Sequence, residues 1–147
     1  MYLIRTTDVK NYGDTPEHEK IHVKVTVNHA YHKVILPSRI TGIREEMGRW
    51  RNFRPLHNWF LDNMEEDGTV YDEVLQDLKT LLEETLELLK QGRIHPPHEE
   101  ACKLLNANEL HITEITYTLG VVNTVLEENK LAWDNNVSFD ITYEYDY

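Results

Sequence analysis

The sequence predicts an α+β domain in which three helices pack on one face of a small antiparallel sheet. Polar and apolar residues alternate near the start of the chain and again in its tail, as expected of half-buried strands. Between these regions, apolar residues recur every three or four positions, which indicates amphipathic helices. The chain has 147 residues, a length that suits one core, so residues 1–147 are predicted to form a single domain.

The first forty residues are predicted to form β structure. Valines alternate with polar residues over 23–27, and a second run covers 31–36 before Pro37 stops it. The two runs predict a hairpin whose turn lies at 28–30. The segment 8–19, rich in Asn, Gly, Asp and Pro, is predicted to be a loop.

A first helix is predicted to begin near residues 52–54, because Pro55 is favoured in a first helical turn and disruptive later. Asp67 and Gly68 are predicted to end it with a turn. Thr69 and Asp72 suggest a capping box that opens a second, longer helix, which ends at Gln91-Gly92. The apolar positions of the two helices are Leu56, Trp59, Phe60 and Met64 in the first, and Val74, Leu78, Leu81, Leu82 and Leu89 in the second.

Residues 93–107, which contain Pro96-Pro97, are predicted to be a connection. A third helix is predicted over 108–129, although its threonines and valines are not strong helix formers. The tail 137–147 alternates again and predicts a strand that pairs with the N-terminal hairpin. The apolar face of the third helix is predicted to comprise Ile112, Ile115, Leu119, Val122 and Leu126.

Charge is distributed unevenly along the chain. Residues 1–60 carry a formal charge of +4 and residues 61–147 carry −15, which gives the net −11. Such a net charge repels a nucleic-acid backbone, so duplex binding is not expected. A small anion bound by a local cluster of arginines remains compatible with it.

Other features of the sequence concern location. The lone Cys102 excludes an internal disulfide and suits a reducing compartment. No apolar run reaches the roughly 18 to 20 residues that cross a bilayer, and residues 1–6 lack the layout of a signal peptide. We expect a cytoplasmic protein without a membrane partner.

The segment 49–60 is the leading candidate for a site, because it combines three arginines, a histidine and two tryptophans. Arginine offers a planar fork of donors for phosphate or carboxylate, and tryptophan can stack on a flat ligand. Arg51 and Arg54 are predicted to bind anionic oxygens, Trp50 to stack, and His57 with Asn58 to form hydrogen bonds. The full set of candidate ligand-binding residues is Arg49, Trp50, Arg51, Asn52, Arg54, His57, Asn58 and Trp59.

If the helix runs on from Trp50, then Trp50, Arg54, His57 and Leu61 share one face. A His57 beside Arg51 and Arg54 would resist protonation, because like charges disfavour its charged form. The alternative is a purely structural helix. Its aromatics would then be core, His57 would be satisfied by a backbone carbonyl, and the arginines would pair with carboxylates of the acidic helices.

His95, His98, Glu99 and Cys102 carry side chains of the kinds that bind zinc. Their spacing matches no known ligand pattern, and the intervening prolines restrict how the histidines converge, so no metal is predicted. There is no nucleophile beside a base, no phosphate-cradling glycine loop and no convincing carboxylate pair. We therefore expect a protein that is not an enzyme and uses no cofactor.

Trp50-Arg51 and the later His57-Asn58-Trp59-Phe60 resemble a motif of a widespread family of small, mostly uncharacterised tailed-phage proteins. An acidic turn follows the motif in that family, as Asp67-Gly68 does here, and a long acidic helix precedes a tyrosine-rich strand, as in 112–129 and 139–147. The family commonly has a lysine and an asparagine where this chain has Asn52 and Arg54. The resemblance implies a phage product that acts in a bacterial host cytoplasm.

Together these observations predict a phage-encoded accessory protein that counters host immunity by sequestering an anionic, nucleotide-derived signal, acting as a homo-oligomer. The alternative is an acidic inhibitor or nucleic-acid mimic that binds a host defence protein. A ligand site requires the basic and aromatic groups to converge in a cleft. A mimic requires a continuous acidic stripe and no cleft.

Overall fold

A computed structural model describes residues 1–8, 23–27, 31–35, 42–91 and 112–146 of the chain. Within these ranges the protein has an α+β fold with antiparallel strands and three helices, which confirms the predicted class. The strands are β1 (Tyr2–Asp8), β2 (Val23–Val27), β3 (Tyr31–Ile35), β4 (Gly42–Arg49) and β5 (Phe139–Glu144). The helices are α1 (Arg54–Asn63), α2 (Asp72–Lys90) and α3 (Ile112–Asp134).

The main sheet has three strands in the order β4-β1-β5, with β1 antiparallel to both neighbours. The hairpin β2–β3 was predicted correctly, but it forms a separate two-stranded sheet. The expected pairing of the hairpin with the C-terminal strand is therefore wrong, because β5 pairs with β1 instead. Alternation of side chains identifies a strand but does not specify its partner. The predicted turn at 28–30 and most of the predicted loop lie outside the described residues.

The two faces of the main sheet differ in polarity. Leu3, Ile141 and Tyr143 lie on the face that packs against the helices and are almost completely buried. On the opposite face, the ion pair between Arg44 and Glu144 joins β4 to β5 across the central strand. Ile4 is buried on that face, which is otherwise polar. Only the first face continues into the main core.

The core lies between this sheet face and the helices. The Phe60 ring of α1 stacks on Tyr143 of β5, with centroids 4.4 Å apart and planes 15° apart. Helices α2 and α3 pack along each other and cover the rest of the face. The buried apolar cluster comprises Leu3, Trp50, Phe53, Leu56, Phe60, Val70, Leu75, Leu78, Leu81, Leu82, Ile115, Val121, Val122, Val125, Ile141 and Tyr143.

The first two helices begin near their predicted positions, although one cap differs. Pro55 lies in the first turn of α1, as expected. Thr69 does not cap α2, because it forms an isolated bridge with Thr142, and Tyr71 precedes the helix without a capping side chain. The predicted capping box is thus wrong. Gly68 has a φ of +88°, which suits the glycine-dependent turn predicted between the helices.

Helix α3 extends to Asp134, beyond its predicted end at Asn129. Its buried stripe includes the polar residues Thr118 and Asn129, which a search for apolar spacing does not detect. Ile112, predicted to face the core, is 46% exposed. Residues 93–107 and the predicted first turn of α3 lie outside the described residues. Among the described helices, none is both long enough and apolar enough to cross a bilayer.

Candidate functional site

Three segments of the chain meet at one end of the main sheet. Because β1 is antiparallel to both neighbours, its start lies beside the ends of β4 and β5, where Tyr2 pairs with Arg49 and Glu144. The chain then turns from β4 into α1, and an open cleft of about 650 Å³ lies between these segments. A volume of this size suits a small-molecule site. The cleft is lined by Met1, Tyr2, Trp50, Arg51, Asn52, Arg54, His57, Tyr145 and Asp146.

The turn into α1 brings the predicted residues together. Asn52 has a φ of +53°, a left-handed conformation that asparagine tolerates better than most residues. It separates β4 from α1, so the helix begins at Arg54, near its predicted start, and the conditional case of a helix that runs on from Trp50 does not hold. Trp50, Arg54 and His57 nevertheless line the same cleft, because the left-handed turn folds the chain around it.

The electrostatics of the cleft are dominated by cations. The side chains of Arg51 and Arg54 are exposed, and neither forms an ion pair with any residue in the described ranges. The amino group of Met1 lies 3.4 Å from the Trp50 carbonyl oxygen and adds a third positive charge. Asp146 contributes a carboxylate. The two guanidinium groups and the ammonium group give this end of the sheet a local excess of positive charge in an otherwise acidic chain.

His57 lies between two tyrosines of the C-terminal segment. Its Nδ1 atom is 2.8 Å from the hydroxyl oxygen of Tyr143, and its ring meets that of Tyr145 edge-on at 4.8 Å between centroids. Burial lowers the pKa of His57, and the nearby N-terminal ammonium and Arg54 lower it further. The direction agrees with the predicted resistance to protonation, but the main cause is burial, and of the two arginines only Arg54 contributes. The alternative in which a backbone carbonyl satisfies His57 is wrong, because its partner is the Tyr143 hydroxyl.

Trp50 has a different role from the predicted one. Its side chain is only 6% exposed, and its indole Nε1–H donates a 2.9 Å hydrogen bond to the Thr118 hydroxyl in α3. The ring also packs edge-on against Tyr117. Trp50 therefore forms a wall of the cleft and part of the core, and does not present an open stacking surface.

Three predicted site residues do not line the cleft. Arg49 forms an ion pair with Glu46 of its own strand and lies over the Tyr2 ring, 5.2 Å from its centroid. Asn58 follows His57 in α1 and is therefore turned about 100° away from it around the helix. Trp59 packs edge-on against Phe60 at the margin of the core. The carboxylate partner of Arg49 lies in β4, not in an acidic helix.

The C-terminal segment supplies two cleft residues that were not predicted, Tyr145 and Asp146, and Tyr143 contacts His57 from outside the lining. Tyr2 was missed at the other end of the chain. The alternation of the tail carried a signal, because Tyr143 and Tyr145 fall on one side of a strand at a spacing of two. No comparable signal linked this side to His57, which lies 86 residues earlier.

The described residues contain no group of three or more side chains placed to hold a metal ion. The histidines and the cysteine considered as zinc ligands, His95, His98 and Cys102, lie with Glu99 outside the described residues. The charged and aromatic side chains that line the cleft include those of Arg51, Arg54, His57, Tyr2, Tyr145 and Asp146. These groups are suited to binding an anion that carries a flat ring.

The chain was compared with protein-family models, with curated proteins and with solved structures, and no match was found in any of the three comparisons.

Proposed function

We propose that the protein binds an anionic, nucleotide-derived small molecule in the cleft at the end of the main sheet, and that it does so without catalysing a reaction. In this proposal a tailed phage encodes the protein and uses it to withdraw a signal of host immunity. The observation that carries the binding function is the convergence of Arg51, Arg54 and His57 on one cleft.

The charge of the two arginines supports an anionic ligand. In an acidic protein, exposed arginines commonly pair with carboxylates, yet Arg51 and Arg54 have no such partner among the described residues. Arg49, two residues before Arg51, shows the contrast, because it is paired with Glu46. Two guanidinium groups without carboxylate partners leave donors available for phosphoryl oxygens.

The remaining lining groups favour a nucleotide over an inorganic anion. Tyr2 and Tyr145 are half-buried and offer aromatic surface to a base. Asp146 offers carboxylate oxygens, which accept hydrogen bonds from hydroxyl groups such as those of ribose and repel a bare phosphate. A ligand with phosphate, hydroxyl and ring components matches all three kinds of group.

The biological role in the proposal rests on the Trp-Arg and His-x-Trp-Phe motif, which resembles that of tailed-phage proteins. Small phage proteins that sequester signals hold them in pockets shared between subunits, and this analogy is the reason for expecting a homo-oligomer and a host cytoplasmic location. The cleft is not enclosed, which leaves room for a second subunit to contribute to it.

A ligand panel tests the proposal. Purified protein is mixed with cyclic nucleotides and ADP-ribose derivatives, and its melting temperature is measured. A ligand at a hundred times its Kd stabilises the folded state by about 2.7 kcal/mol, which for a domain of this size raises the melting temperature by roughly 5 to 10 °C. Mass spectrometry after heat release searches the same preparation for a co-purified nucleotide. No shift across the panel and no released nucleotide would contradict the proposal.

The acidic face of α2 supports a second candidate, a protein-binding inhibitor or nucleic-acid mimic. Glu73, Asp77, Glu84 and Glu87 are all exposed and recur at helical spacing along α2. Replacing these four acids with glutamine distinguishes the two candidates. A mimic loses activity against its host target, whereas a nucleotide-binding protein retains both its activity and its ligand-induced shift in melting temperature.

A further inference from the structure

The contact between Nδ1 of His57 and the Tyr143 hydroxyl leaves Nε2 of the imidazole available in the cleft. We propose that Tyr143 is a positioning residue that holds His57 in the tautomer protonated on Nε2, so that the cleft offers a neutral hydrogen-bond donor to a phosphoryl oxygen. The contact between His57 and a ligand rests on the proposed function, whereas the tautomer of His57 does not. Tyr143 itself is buried and lies outside the lining of the cleft.

The direction of the hydrogen bond follows from burial. Tyr143 is 2% exposed, and within the described ranges its hydroxyl forms one hydrogen bond, the 2.8 Å contact with Nδ1 of His57. If Nδ1 carried the proton and donated it, the phenolic hydrogen would have no acceptor among the described residues. If the phenol donates, both groups are satisfied. The second arrangement is favoured because an unpaired buried donor loses its hydration without compensation.

The protonation states of the two groups agree with this arrangement. Burial raises the pKa of Tyr143 far above its ordinary value of 10.0, and Tyr145 raises it further, so the hydroxyl keeps its proton. Burial, the N-terminal ammonium and Arg54 lower the pKa of His57, so the imidazole is neutral at neutral pH. A neutral imidazole whose Nδ1 accepts a hydrogen bond carries its proton on Nε2.

The arginines and the histidine of the cleft would contact a ligand in different ways. The His57 ring lines the cleft while Nδ1 is occupied by Tyr143, so Nε2–H is the polar group left for a ligand. Arg51 and Arg54 supply charge, and His57 supplies a directional donor that adds no charge. The oxygens of a phosphate accept such a bond, whereas a cationic ligand group does not.

The tautomer can be read in the ligand-free protein. Histidine is labelled with ¹⁵N, and long-range ¹H–¹⁵N correlations are recorded above the pKa of His57. Signals that disappear in His57→Gln are assigned to this residue among the eight histidines. We expect Nε2 to be protonated in the wild type and the two tautomers to mix in Tyr143→Phe. The Phe variant keeps the ring that stacks on Phe60, so the fold is preserved.

Tyr117→Phe is the matched control. It removes a phenol that accepts a hydrogen bond from the Arg49 amide and does not line the cleft, so the His57 spectrum should not change. A wild-type His57 protonated on Nδ1 would overturn the proposal. An unchanged tautomer in Tyr143→Phe would overturn it as well.

Inorganic pyrophosphate tests the contact with a ligand. The side-chain amide nitrogen of glutamine can occupy nearly the position of Nε2, whereas asparagine reaches only that of Nδ1. We expect His57→Gln to bind pyrophosphate within about threefold of the wild type and His57→Asn to bind it about tenfold more weakly. Equal loss in both variants would overturn the proposed contact. If the wild type does not bind pyrophosphate, the anion-binding function fails, and the tautomer spectrum alone decides the role of Tyr143.

Discussion

Arg5 of the central strand donates a 2.7 Å hydrogen bond from Nη2 to the side-chain oxygen of Asn129 in α3, inside the protein. The same guanidinium forms an ion pair with Glu128, and the Asn129 amide donates to Asp72 at the start of α2. Trp133 donates to the second oxygen of Asp72. A buried arginine is therefore held by a chain of hydrogen bonds that connects β1, α3 and α2.

Replacing Asn129 with leucine should destabilise the protein by about 3 kcal/mol. The substitution removes one acceptor from Arg5 and one donor from Asp72. Arg5 keeps its bonds to the Val125 carbonyl and to Glu128, but losing buried hydrogen bonds to charged groups is costly. Urea denaturation measures the change. Lys130→Ala, at the next and exposed position, is the control and should change the free energy of unfolding by less than about 0.5 kcal/mol. Equal effects from the two substitutions would argue against the network.

Alanine substitution of Arg51 or Arg54 should weaken ligand binding by on the order of 1 to 3 kcal/mol, because each removes charge-assisted hydrogen bonds. Thermal stability should hardly change, since both side chains are exposed. Titration calorimetry with a ligand from the panel provides the measurement. Arg49→Ala is the matched control, because Arg49 is paired with Glu46 and lies outside the cleft. If Arg49→Ala weakened binding as much as the other two, the site would be misplaced.

Stability should rise with pH across the titration of His57. Burial lowers the pKa of His57 in the folded protein below the ordinary value of 6.5, so between these two pKa values the unfolded chain binds more protons. Stability is therefore complete above the unfolded pKa, falls as the pH drops towards the folded pKa, and changes no further below it. The N-terminal ammonium and Arg54 lower the pKa of His57, Arg51 and Asp146 share its cleft, and the rings of Tyr143 and Tyr145 pack on its ring.

In denaturation series from pH 4 to 8, one such group contributes a slope of at most about 1.4 kcal/mol per pH unit. His57→Asn should remove this contribution. A variant whose pH dependence matched that of the wild type would show that another group is responsible.

Two glycines should respond to alanine in opposite directions. A Cβ at Gly48 would lie 2.6 Å from Cη2 of Trp50 and 2.8 Å from Cγ1 of Val121, so Gly48→Ala should destabilise the protein by roughly 1 to 3 kcal/mol. At Gly120, an exposed position of α3, a Cβ meets no atom within 4 Å among the described residues. Gly120→Ala should stabilise the protein by about 0.5 to 1 kcal/mol. Thermal melts compare the pair, and equal signs would contradict this packing.

Phe60 should behave as a core residue. It is fully buried and stacks on Tyr143, so Phe60→Ala should lower the free energy of unfolding by roughly 3 to 5 kcal/mol. Leu61→Ala, at an exposed position of the same helix, provides the comparison and should have a small effect. Chemical denaturation of both variants checks this, and similar losses would mean that α1 is oriented differently.

Local periodicity predicted the three helices and the strands β2, β3 and β5, because each of these carries its pattern within a few residues. Strand β4 was not predicted, because its first five residues are exposed and show no apolar alternation. Pairing of strands depends on residues far apart, and nothing in the valines of β2 indicates that β5 joins β1 instead. The polar members of the core were also missed. Asn129 is buried, where its side-chain oxygen accepts a hydrogen bond from Arg5, 124 residues away. The spacing of apolar residues cannot reveal such a long-range hydrogen bond.

Only the part of the candidate site that lies within one short segment was predicted, because contacts between distant residues leave no local pattern. Arg51, Arg54 and His57 lie close together along the chain, so their composition alone drew attention to them. Whether Trp50 stacks on a ligand or enters the core depends on Thr118 in a distant helix. The side of the cleft formed by Tyr145 depends on the end of β5 lying next to the start of β1.

The central place of β1 has a consequence for how the protein folds. Tyr2 pairs with Glu144, so closing the sheet joins positions 142 residues apart. Closing such a long loop is entropically unfavourable, and contacts between distant positions slow folding. During synthesis on the ribosome, β1 emerges long before β5 and keeps one hydrogen-bonding edge unsatisfied in the interval. We expect refolding to be slow for a protein so rich in helix, and to be limited by the docking of β5.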